Sequence, residues 1–376
     1  MAFTATQLAE RHMSTDSLRV AMFCPYSLSV PGGVQGQVLG LARALRRRGH
    51  EVRVLGPCDG PPPASFVTPL GDSLPTAANG SVAPLAPDPS AALRTIRAIR
   101  DEKFDVWHLH EPLAPGPTLT ALTLHSRPIV GTFHAAGRSS SYRFLKPVLS
   151  PLVRRIDHRV AVSIEARALV SQHFGGDYEV LFNGIDIPDI EDDRSEVKAM
   201  SILFIGRHEE RKGLAVLLQA VEQLHGVVFP ELVCHIIGDG PDTESLRQRY
   251  SDQRRFRWHG RVTDGEKSAL LREATVFVAP SLRGESFGVV LLEAMAASTA
   301  VIASDIPGYR TVATHDNDAL LVPPGRSDAL ANALTAVLSS HEIQNRLIAA
   351  GRATAESMSM DRLALKYVDR YRQVLK

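Results

Sequence analysis

The amino-acid sequence predicts an α/β protein with two parallel sheets covered by helices, one sheet in each half of the chain. Short apolar, β-branched runs alternate with segments whose apolar residues recur at helical spacing, as Val34, Val38, Leu41 and Leu45 do. Such alternation is typical of parallel sheets. The pattern restarts after an acidic segment at residues 185–196, and a length of 376 residues suits two domains of about 100–200 residues each.

The first half of the chain provides one predicted domain. Residues 1–16 lack the continuous apolar stretch of a signal peptide and are predicted to form a flexible tail. The first domain is predicted over residues 17–186. Its strands are expected at residues 18–26, 51–55, 105–110, 128–134, 159–163 and 179–182. A hinge linker is predicted at residues 187–197, because this stretch is acidic and poor in apolar residues.

The second domain is predicted over residues 198–358. Its strands are expected at residues 201–206, 231–238, 256–260, 275–280, 300–304 and 319–322. From residue 327 onward the pattern is almost wholly helical. The helix predicted within residues 359–376 is expected to reach back to the first domain.

The composition excludes several classes of protein. A formal net charge of +1 argues against a strongly basic nucleic-acid-binding protein. No apolar run reaches the roughly 18 residues that a membrane-spanning helix requires. The three cysteines, Cys24, Cys58 and Cys234, are too widely separated to form a disulfide framework or a zinc site. The sequence therefore predicts a reduced, cytoplasmic protein.

Two strand-to-helix turns are candidate phosphate sites. At Gly32 and Gly33, backbone amides at a helix N-terminus could approach an anion, although a plain tight turn is the alternative. In the second half, Arg207 and Lys212 stand in the string GRHEERKG and could converge on a diphosphate. A solvated run of charges is the alternative there. Neither turn carries the dinucleotide glycine pattern, which excludes a dehydrogenase of that type.

A third motif combines two carboxylates with the start of a helix. Glu285 and Glu293 lie in GESFGVVLLEAMA, eight residues apart. A carboxylate can accept hydrogen bonds from neighbouring hydroxyls, and the amides at the helix N-terminus add donors for ligand oxygens. This combination favours a hydroxyl-rich ligand.

Together these motifs resemble those of the retaining glycosyltransferases of family 4, whose GT-B fold has two Rossmann-like domains facing a central cleft. Within that family the chain is most similar to the actinobacterial phosphatidylinositol α-mannosyltransferases, and the resemblance spans residues 18–376. The supporting strings are CPYSLSVPGGVQ (24–35), NGSVA (79–83), HLHEP (108–112), GTFH (131–134), FNGID (182–186), GRHEERKG (206–213) and GESFGVVLLEAMA (284–296).

The resemblance implies a donor site for a nucleotide sugar. The Gly33 amide, Arg207 and Lys212 would hold the diphosphate, Glu285 the transferred sugar and Glu293 the ribose. The remaining implied donor positions are the backbone amides of Phe287, Gly288 and Val289, which face the sugar, and Val262, Asp264 and Lys267, which face a guanine base. GDP-mannose is therefore the expected donor, with a UDP-sugar as the alternative.

The resemblance also implies a catalytic group and an acceptor site. His134 would lie beside the reacting sugar, with its ring or its carbonyl near the forming positive charge, and Arg207, Lys212 and Glu285 would complete the catalytic set. Tyr26, Gln35 and Arg138 are the expected acceptor-side residues. Five positions depart from the relatives' pattern: Ser29, Ala78, Pro84 and Leu113 replace polar or charged acceptor contacts, and Ser298 replaces a common glycine. A phosphatidylinositol-type lipid is the expected acceptor, and another lipid, a glycan or a polyol is the alternative.

The expected mechanism requires neither a carboxylate nucleophile nor a metal. The His134 segment contains no acid, so the resemblance implies front-side substitution assisted by the leaving phosphate. His108, His110 and Glu111 could form a metal trio, but the resemblance assigns this strand end to the wall of the cleft. The Asp316-Asn317-Asp318 segment is interpreted as a polar turn. No cofactor is therefore expected.

Two basic amphipathic segments are candidate membrane contacts. Residues 89–104 and 142–155 combine apolar positions at near-helical spacing with arginine and lysine, a pattern that suits the surface of an anionic membrane. An ordinary helix packed on a sheet is the alternative. Peripheral attachment to the inner face of the cell membrane would suit a lipid acceptor.

Two other functions share the predicted architecture. A sugar-nucleotide epimerase would need no acceptor, and the pairing of GRHEERKG with GESFG argues against it. A non-enzymatic binding protein would need a damaged donor site, whereas Arg207, Lys212, Glu285 and Glu293 are all present. The sequence predicts no particular oligomeric state.

Overall fold

The computed structural model describes residues 17–78, 81–135, 140–188, 200–224, 229–285 and 287–376. These residues form two units, one from the chain up to Asp186 together with Met360–Lys376, and the other from Ile187–Ser359. Each unit has a parallel sheet with helices packed on it, so the predicted α/β class with two Rossmann-like halves is confirmed. The predicted tail and most of the predicted hinge lie outside the described residues.

The sheet of the first unit has seven parallel strands in the order β3-β2-β1-β6-β7-β8-β9. The strands of this unit are β1 (Arg19–Phe23), β2 (Glu51–Gly56), β3 (Val67–Pro69), β4 (Leu74–Ala78), β5 (Ser81–Leu85), β6 (Val106–His110), β7 (Ile129–Phe133), β8 (His158–Ala161) and β9 (Glu179–Val180). Its first five helices are α1 (Gly33–Arg47), α2 (Pro89–Asp101), α3 (Pro117–Leu124), α4 (Ser140–Val153) and α5 (Ile164–Phe174). All six strands predicted for this half are present.

Two features of the first unit escaped prediction. The short strand β3 extends the sheet at one edge, and β4 pairs with β5 as an antiparallel hairpin apart from the main sheet. The hairpin strands are rich in alanine and proline, which are poor strand formers, so propensity did not reveal them. The Asn79-Gly80 dipeptide between them is a strong hairpin signal that could have done so.

The sheet of the second unit has six parallel strands in the order β12-β11-β10-β13-β14-β15. These strands are β10 (Ser201–Ile205), β11 (Val233–Ile237), β12 (Phe256–Gly260), β13 (Val276–Ala279), β14 (Ala300–Ser304) and β15 (Leu320–Val322). The helices are α6 (Leu214–Leu224), α7 (Thr243–Arg249), α8 (Asp264–Glu273), α9 (Val289–Ala296), α10 (Pro307–Arg310), α11 (Ser327–Ser339) and α12 (His341–Ser357). All six strands predicted for this half are present, and each falls within about two residues of its expected bounds.

The last helix, α13 (Met360–Val374), belongs to the first unit. Its Leu363, Tyr367 and Tyr371 are buried in the core that contains α1 and strands of the seven-stranded sheet. Arg370 forms two 2.6 Å contacts with the carboxylate of Glu179 in β9. Such a bidentate pair fixes the orientation of a helix as well as holding it.

Candidate active site

In the second unit, a loop after β10 and a loop after β13 are held against each other. Gly213 ends the short 3₁₀ helix Glu210–Lys212 with a φ of 69°. A Cβ atom at Gly213 would lie 1.9 Å from the carbonyl oxygen of Pro280, so only glycine allows this approach. The amide of Leu282 also donates to the carbonyl of Arg211 at 2.7 Å. The basic string GRHEERKG is thereby brought to the acidic string GESFG.

Glu285 is the centre of this contact. Its Oε1 atom lies 2.6 Å from Lys212 Nζ, 3.4 Å from Arg211 Nη1 and 3.1 Å from Ser281 Oγ. Ser281 is buried and is itself hydrogen-bonded to the hydroxyl of Tyr309 at 2.9 Å. Lys212 and Glu285 keep only 21% and 14% of their side-chain surface exposed. The structure therefore unites two predicted site residues and adds Arg211, which sequence reasoning missed although it adjoins Lys212.

Arg207 lies at a different part of the same loop. Its side chain is 68% exposed, and its Nε atom is 3.6 Å from the Glu209 carboxylate. It lines a pocket of about 450 Å³ at the carboxyl ends of β10 and β11, together with Gly238, Asp239, Gly240 and Arg261. In open parallel sheets this end is where ligands bind. Arg261 is a second cation there that the sequence analysis did not single out.

A second acid–base pair lies at helices α8 and α9. Lys267 Nζ contacts Glu293 Oε1 at 3.0 Å and Asp264 Oδ1 at 3.8 Å. A capping box between Thr263 and Glu266 fixes the start of α8, and this places Asp264 and Lys267 on its first turn. Three of the predicted base and ribose positions therefore meet, and Val262 precedes them directly in sequence.

Helix α9 directly follows the loop after β13. Gly288 is its N-cap, with a φ of 84°, and Phe287 is buried just before it. The first amides of a helix have no intrahelical partner, so the N–H group of Val289 is placed to donate to a ligand oxygen. Ser286, between Glu285 and Phe287, lies outside the described residues.

In the first unit, Gly33 is the first residue of α1, and a Cβ atom there would meet no other atom within 4 Å. Gln35 is buried, and its amide nitrogen donates to the carbonyl of Ser27 at 3.3 Å. Burial raises the pKa of the Tyr26 hydroxyl, and the nearby Glu111 carboxylate adds to the effect. The space beside the Cα atom of Gly33 is therefore open, and the contact of its amide with a diphosphate stays a prediction.

His134 lies just beyond the end of β7 and is held by two neighbours. Its Nε2 atom is 3.0 Å from Nδ1 of the buried His110. Burial lowers the pKa of His134 to about 4, so its ring is neutral at pH 7. The sequence shows no acid in this segment, but the fold brings one to it: buried Glu111 accepts the backbone N–H groups of His134 and Ala135.

The first histidine of the possible metal trio at the end of β6 is engaged in hydrogen bonds with other residues. His108 is hydrogen-bonded through Nδ1 to Tyr371 at 2.7 Å and through Nε2 to Thr132 at 2.8 Å. Burial lowers its pKa to about 3. Among the residues that the structure describes, no three histidine, cysteine, aspartate or glutamate side chains are placed to hold a metal ion.

Comparison with known proteins identifies the family. Two family models match consecutive halves of the chain: Glycosyltransferase Family 4 over residues 31–188, and Glycosyl transferases group 1 over residues 188–354. A phosphatidyl-myo-inositol mannosyltransferase of Mycobacterium leprae is 40% identical over 345 residues, which cover 89% of this chain and 91% of the relative. The chain is a family 4 glycosyltransferase.

Other relatives of this glycosyltransferase agree with that assignment. A phosphatidyl-myo-inositol mannosyltransferase of Propionibacterium freudenreichii is 35% identical, over 90% of each chain. The crystal structure of a glycosyltransferase from Rickettsia africae superimposes with a TM-score of 0.70 at 16% identity, covering 96% of this chain and 99% of that one, which shows the shared fold.

The acceptor-side assignments for the glycosyltransferase stay predictions. Arg138 lies outside the described residues, so its predicted role stays a prediction. Leu113 is buried in the core of the first unit, and Pro84 and Ala78 lie in the hairpin strands β5 and β4. In the part of the chain that the structure describes, no helix is long and apolar enough to span a bilayer.

Proposed function

We propose that this enzyme transfers mannose from GDP-mannose to the inositol ring of a phosphatidylinositol-type lipid, with retention of configuration. The observation that carries the proposal is the convergence of Lys212 and Arg211 on Glu285. It sets a cationic group for a diphosphate beside a carboxylate suited to sugar hydroxyls. Relatives that are 35–40% identical over about 90% of the chain are phosphatidyl-myo-inositol mannosyltransferases, which supports the choice of sugar and acceptor.

The donor binds with its diphosphate at Lys212 and Arg207, while the role expected of the Gly33 amide stays a prediction. Arg207 is exposed and lines the pocket, where it presents a planar fork, whereas Lys212 acts as a point charge. Glu293 takes the ribose hydroxyls, and Lys267, Asp264 and Val262 border the base. Glu285 and the amides of Phe287, Gly288 and Val289 take the sugar.

Transfer proceeds on one face of the sugar. The bond from the anomeric carbon to the diphosphate oxygen breaks, and the bond to the inositol oxygen forms. The inositol proton passes to the leaving phosphate. Preorganised positive groups that face a growing negative charge lower the barrier most, and this is the role of Lys212 and Arg207. Neutral His134 offers its ring or its carbonyl to the sugar as positive charge develops.

Glu111 is not the nucleophile of a double displacement. It is 5% exposed, and one of its oxygens already accepts two backbone N–H groups. We also propose that transfer needs no metal, because the cations of Lys212, Arg207 and Arg211 neutralise the diphosphate.

The proposed site of action is the surface of an anionic membrane. Helix α4 presents Phe144, Leu145 and Val148 at 70%, 50% and 67% exposure. Arg143 and Lys146 alternate with them, and the Arg143 guanidinium lies 4.8 Å from the centre of the Phe144 ring. This combination of exposed apolar and basic side chains suits a bilayer interface.

The test is a transfer assay with labelled GDP-mannose, vesicles with and without phosphatidylinositol, and EDTA in parallel samples. Label in lipid only when phosphatidylinositol is present, at an unchanged rate in EDTA, is the expected result. Label in another lipid would contradict the acceptor assignment. Transfer from a UDP-sugar in place of GDP-mannose would contradict the guanine assignment, and loss of transfer in EDTA would contradict metal independence.

A further inference from the structure

Glu111 has an unusual place at the end of β6. Its φ is 48°, in the left-handed region that non-glycine residues rarely adopt, and its side chain is almost fully buried. A single carboxylate oxygen, Oε1, accepts the backbone N–H groups of His134 and Ala135, two consecutive residues after β7. The other oxygen accepts from the Tyr142 hydroxyl at 3.4 Å. A buried acid is thus directed at the main chain on both sides of His134.

Because the peptide unit is rigid, this contact fixes the direction of the His134 carbonyl. The peptide unit is planar and trans, so the N–H of Ala135 and the carbonyl of His134 point in opposite directions. Holding that N–H on Glu111 therefore turns the His134 carbonyl away from the buried carboxylate. The N–H of His134 fixes the preceding peptide unit in the same way, and His110 holds the ring at 3.0 Å. Main chain and side chain of His134 are both constrained.

We infer that Glu111 is a positioning residue, which sets the orientation of the His134 carbonyl and ring toward the transferred sugar. The inference rests on the proposed function, in which His134 lies beside that sugar. A strained backbone at the end of a strand is expected where surrounding structure needs a side chain in one place.

Glu111 holds the two N–H groups through the position of its accepting oxygen, which the length of the side chain sets. Its negative charge is not required. Both N–H groups use the same oxygen, so the carbonyl oxygen of a glutamine could accept both. Burial also raises the pKa of Glu111, which disfavours its charged form. Asparagine offers the same amide one methylene shorter, and it tolerates the left-handed conformation. Glu111→Gln and Glu111→Asn therefore form a pair with the same amide group and different reach, and the backbone conformation does not disfavour the shorter side chain.

A control lies at the opposite end of β7 from His134. Asp157 Oδ2 accepts the backbone N–H of Ile129, the first residue of β7, at 2.7 Å. Asp157→Ala removes a carboxylate-to-strand contact of the same kind, remote from His134. It separates general loosening of β7 from misplacement of His134.

The experiment compares kcat, the KM for GDP-mannose and the GDP dissociation constant of the four proteins, together with amide NMR shifts of His134 and Ala135. Glu111→Asn is expected to lose on the order of 10- to 100-fold in kcat with an unchanged GDP affinity, because a misplacement of about 1 Å can cost that much. Its two amide proton signals should move upfield. The kcat values of Glu111→Gln and Asp157→Ala should stay within about threefold of the wild-type value.

Three results would overturn the inference: unchanged amide shifts in Glu111→Asn, a kcat loss in Asp157→Ala as large as in Glu111→Asn, or an equal loss in Glu111→Gln. The amide shifts need no substrate. A wild-type protein that transfers no mannose would contradict the proposed function, while the shifts would still decide whether Glu111 anchors this segment.

Discussion

At the scale of single residues, the contact between Lys212 and Glu285 is the most consequential. The two residues are 73 positions apart in the sequence and belong to separate motifs, yet their charged atoms are 2.6 Å apart. Sequence reasoning assigned each a role on its own motif, and these roles remain predictions. Their distance could not be predicted, because it depends on the backbone approach at Gly213 and Pro280. Arg211 was missed for the same reason.

Lys212→Ala is predicted to lower kcat by about 10²–10³-fold, because it removes a preorganised group that stabilises the departing diphosphate. Steady-state transfer assays measure the effect. Arg283→Ala is the control. Arg283 lies in the loop after β13, but its 3.4 Å contact is with Glu210, and both side chains are exposed. An exposed pair of this kind contributes little. Near-normal turnover of Lys212→Ala would refute the donor site.

Ser298 shows how a departure from a family pattern acquires a physical meaning. It follows the end of α9 with a φ of 59°, the left-handed conformation in which glycine is favoured. Arg352 Nη1 lies 3.4 Å from its hydroxyl oxygen. Serine therefore adopts a conformation that glycine would adopt without strain.

Ser298→Gly is predicted to raise the free energy of unfolding by about 1 kcal/mol, since the left-handed conformation costs a residue with a Cβ atom roughly 1–2 kcal/mol and glycine loses some of that gain through entropy. Ser298→Ala keeps the Cβ atom and should give no gain. Chemical denaturation of the three proteins measures the difference. Equal stability of Ser298→Gly and Ser298→Ala would show that the backbone is not strained.

At the scale of elements, α4 has features of both alternatives that the sequence left open. Its Leu149 and Val153 are buried in the first unit, while Phe144, Leu145 and Val148 are exposed. The helix therefore has a face packed on the sheet and an apolar face without cover among the described residues. In α2 the two roles are less balanced, since Ile99 packs on the core and Leu93 is exposed. Periodicity alone could not separate these faces, because both carry apolar residues.

Replacing Phe144 and Val148 together by serine is predicted to weaken binding to anionic vesicles at least tenfold. Each side chain would contribute about 1.5–3 kcal/mol on full burial in a bilayer, and about 1.4 kcal/mol is a factor of ten. Vesicle cosedimentation measures the binding. Leu365→Ser is the matched control, because Leu365 is an exposed leucine on α13. Unchanged binding of the double variant would place the membrane contact elsewhere.

At the scale of the whole molecule, the parallel sheets were predictable because buried parallel strands are continuous apolar runs. The register between distant strands was not. The histidine cluster illustrates this: His108 and His110 are visible as a pair in the sequence, but their partners Tyr371 and His134 come from other elements. Their burial follows from that assembly, and it determines how the molecule responds to acid.

The stability of the first unit is predicted to fall as the pH decreases below about 6.5. Burial lowers the pKa of His108 to about 3 and of His134 to about 4, and that of His110 is also lowered. The unfolded chain therefore binds protons at its ordinary histidine pKa, while the folded chain does not until lower pH. Three such groups give a slope of up to about 4 kcal/mol per pH unit.

Urea unfolding at pH 7, 6 and 5 measures this slope, followed through buried Trp107 in a Trp258→Phe background so that only the first unit reports. His134→Gln should reduce the slope by about 1.4 kcal/mol per pH unit. His341→Gln, at the exposed start of α12, should leave it unchanged. An unaltered slope in His134→Gln would mean that its ring takes up protons equally in both states.

The placement of α13 has a consequence for how the protein is made. The helix completes the core of the first unit, yet it is translated only after the whole of the second unit. Domains generally fold as they emerge during synthesis, the earlier before the later. Here that order cannot hold, because the core of the first unit stays incomplete until Tyr367 and Tyr371 are translated, after the whole of the second unit. A translational pause after Ser359 would therefore prolong the exposure of apolar surface on α1, and a chaperone that captures nascent chains would be expected to engage that surface.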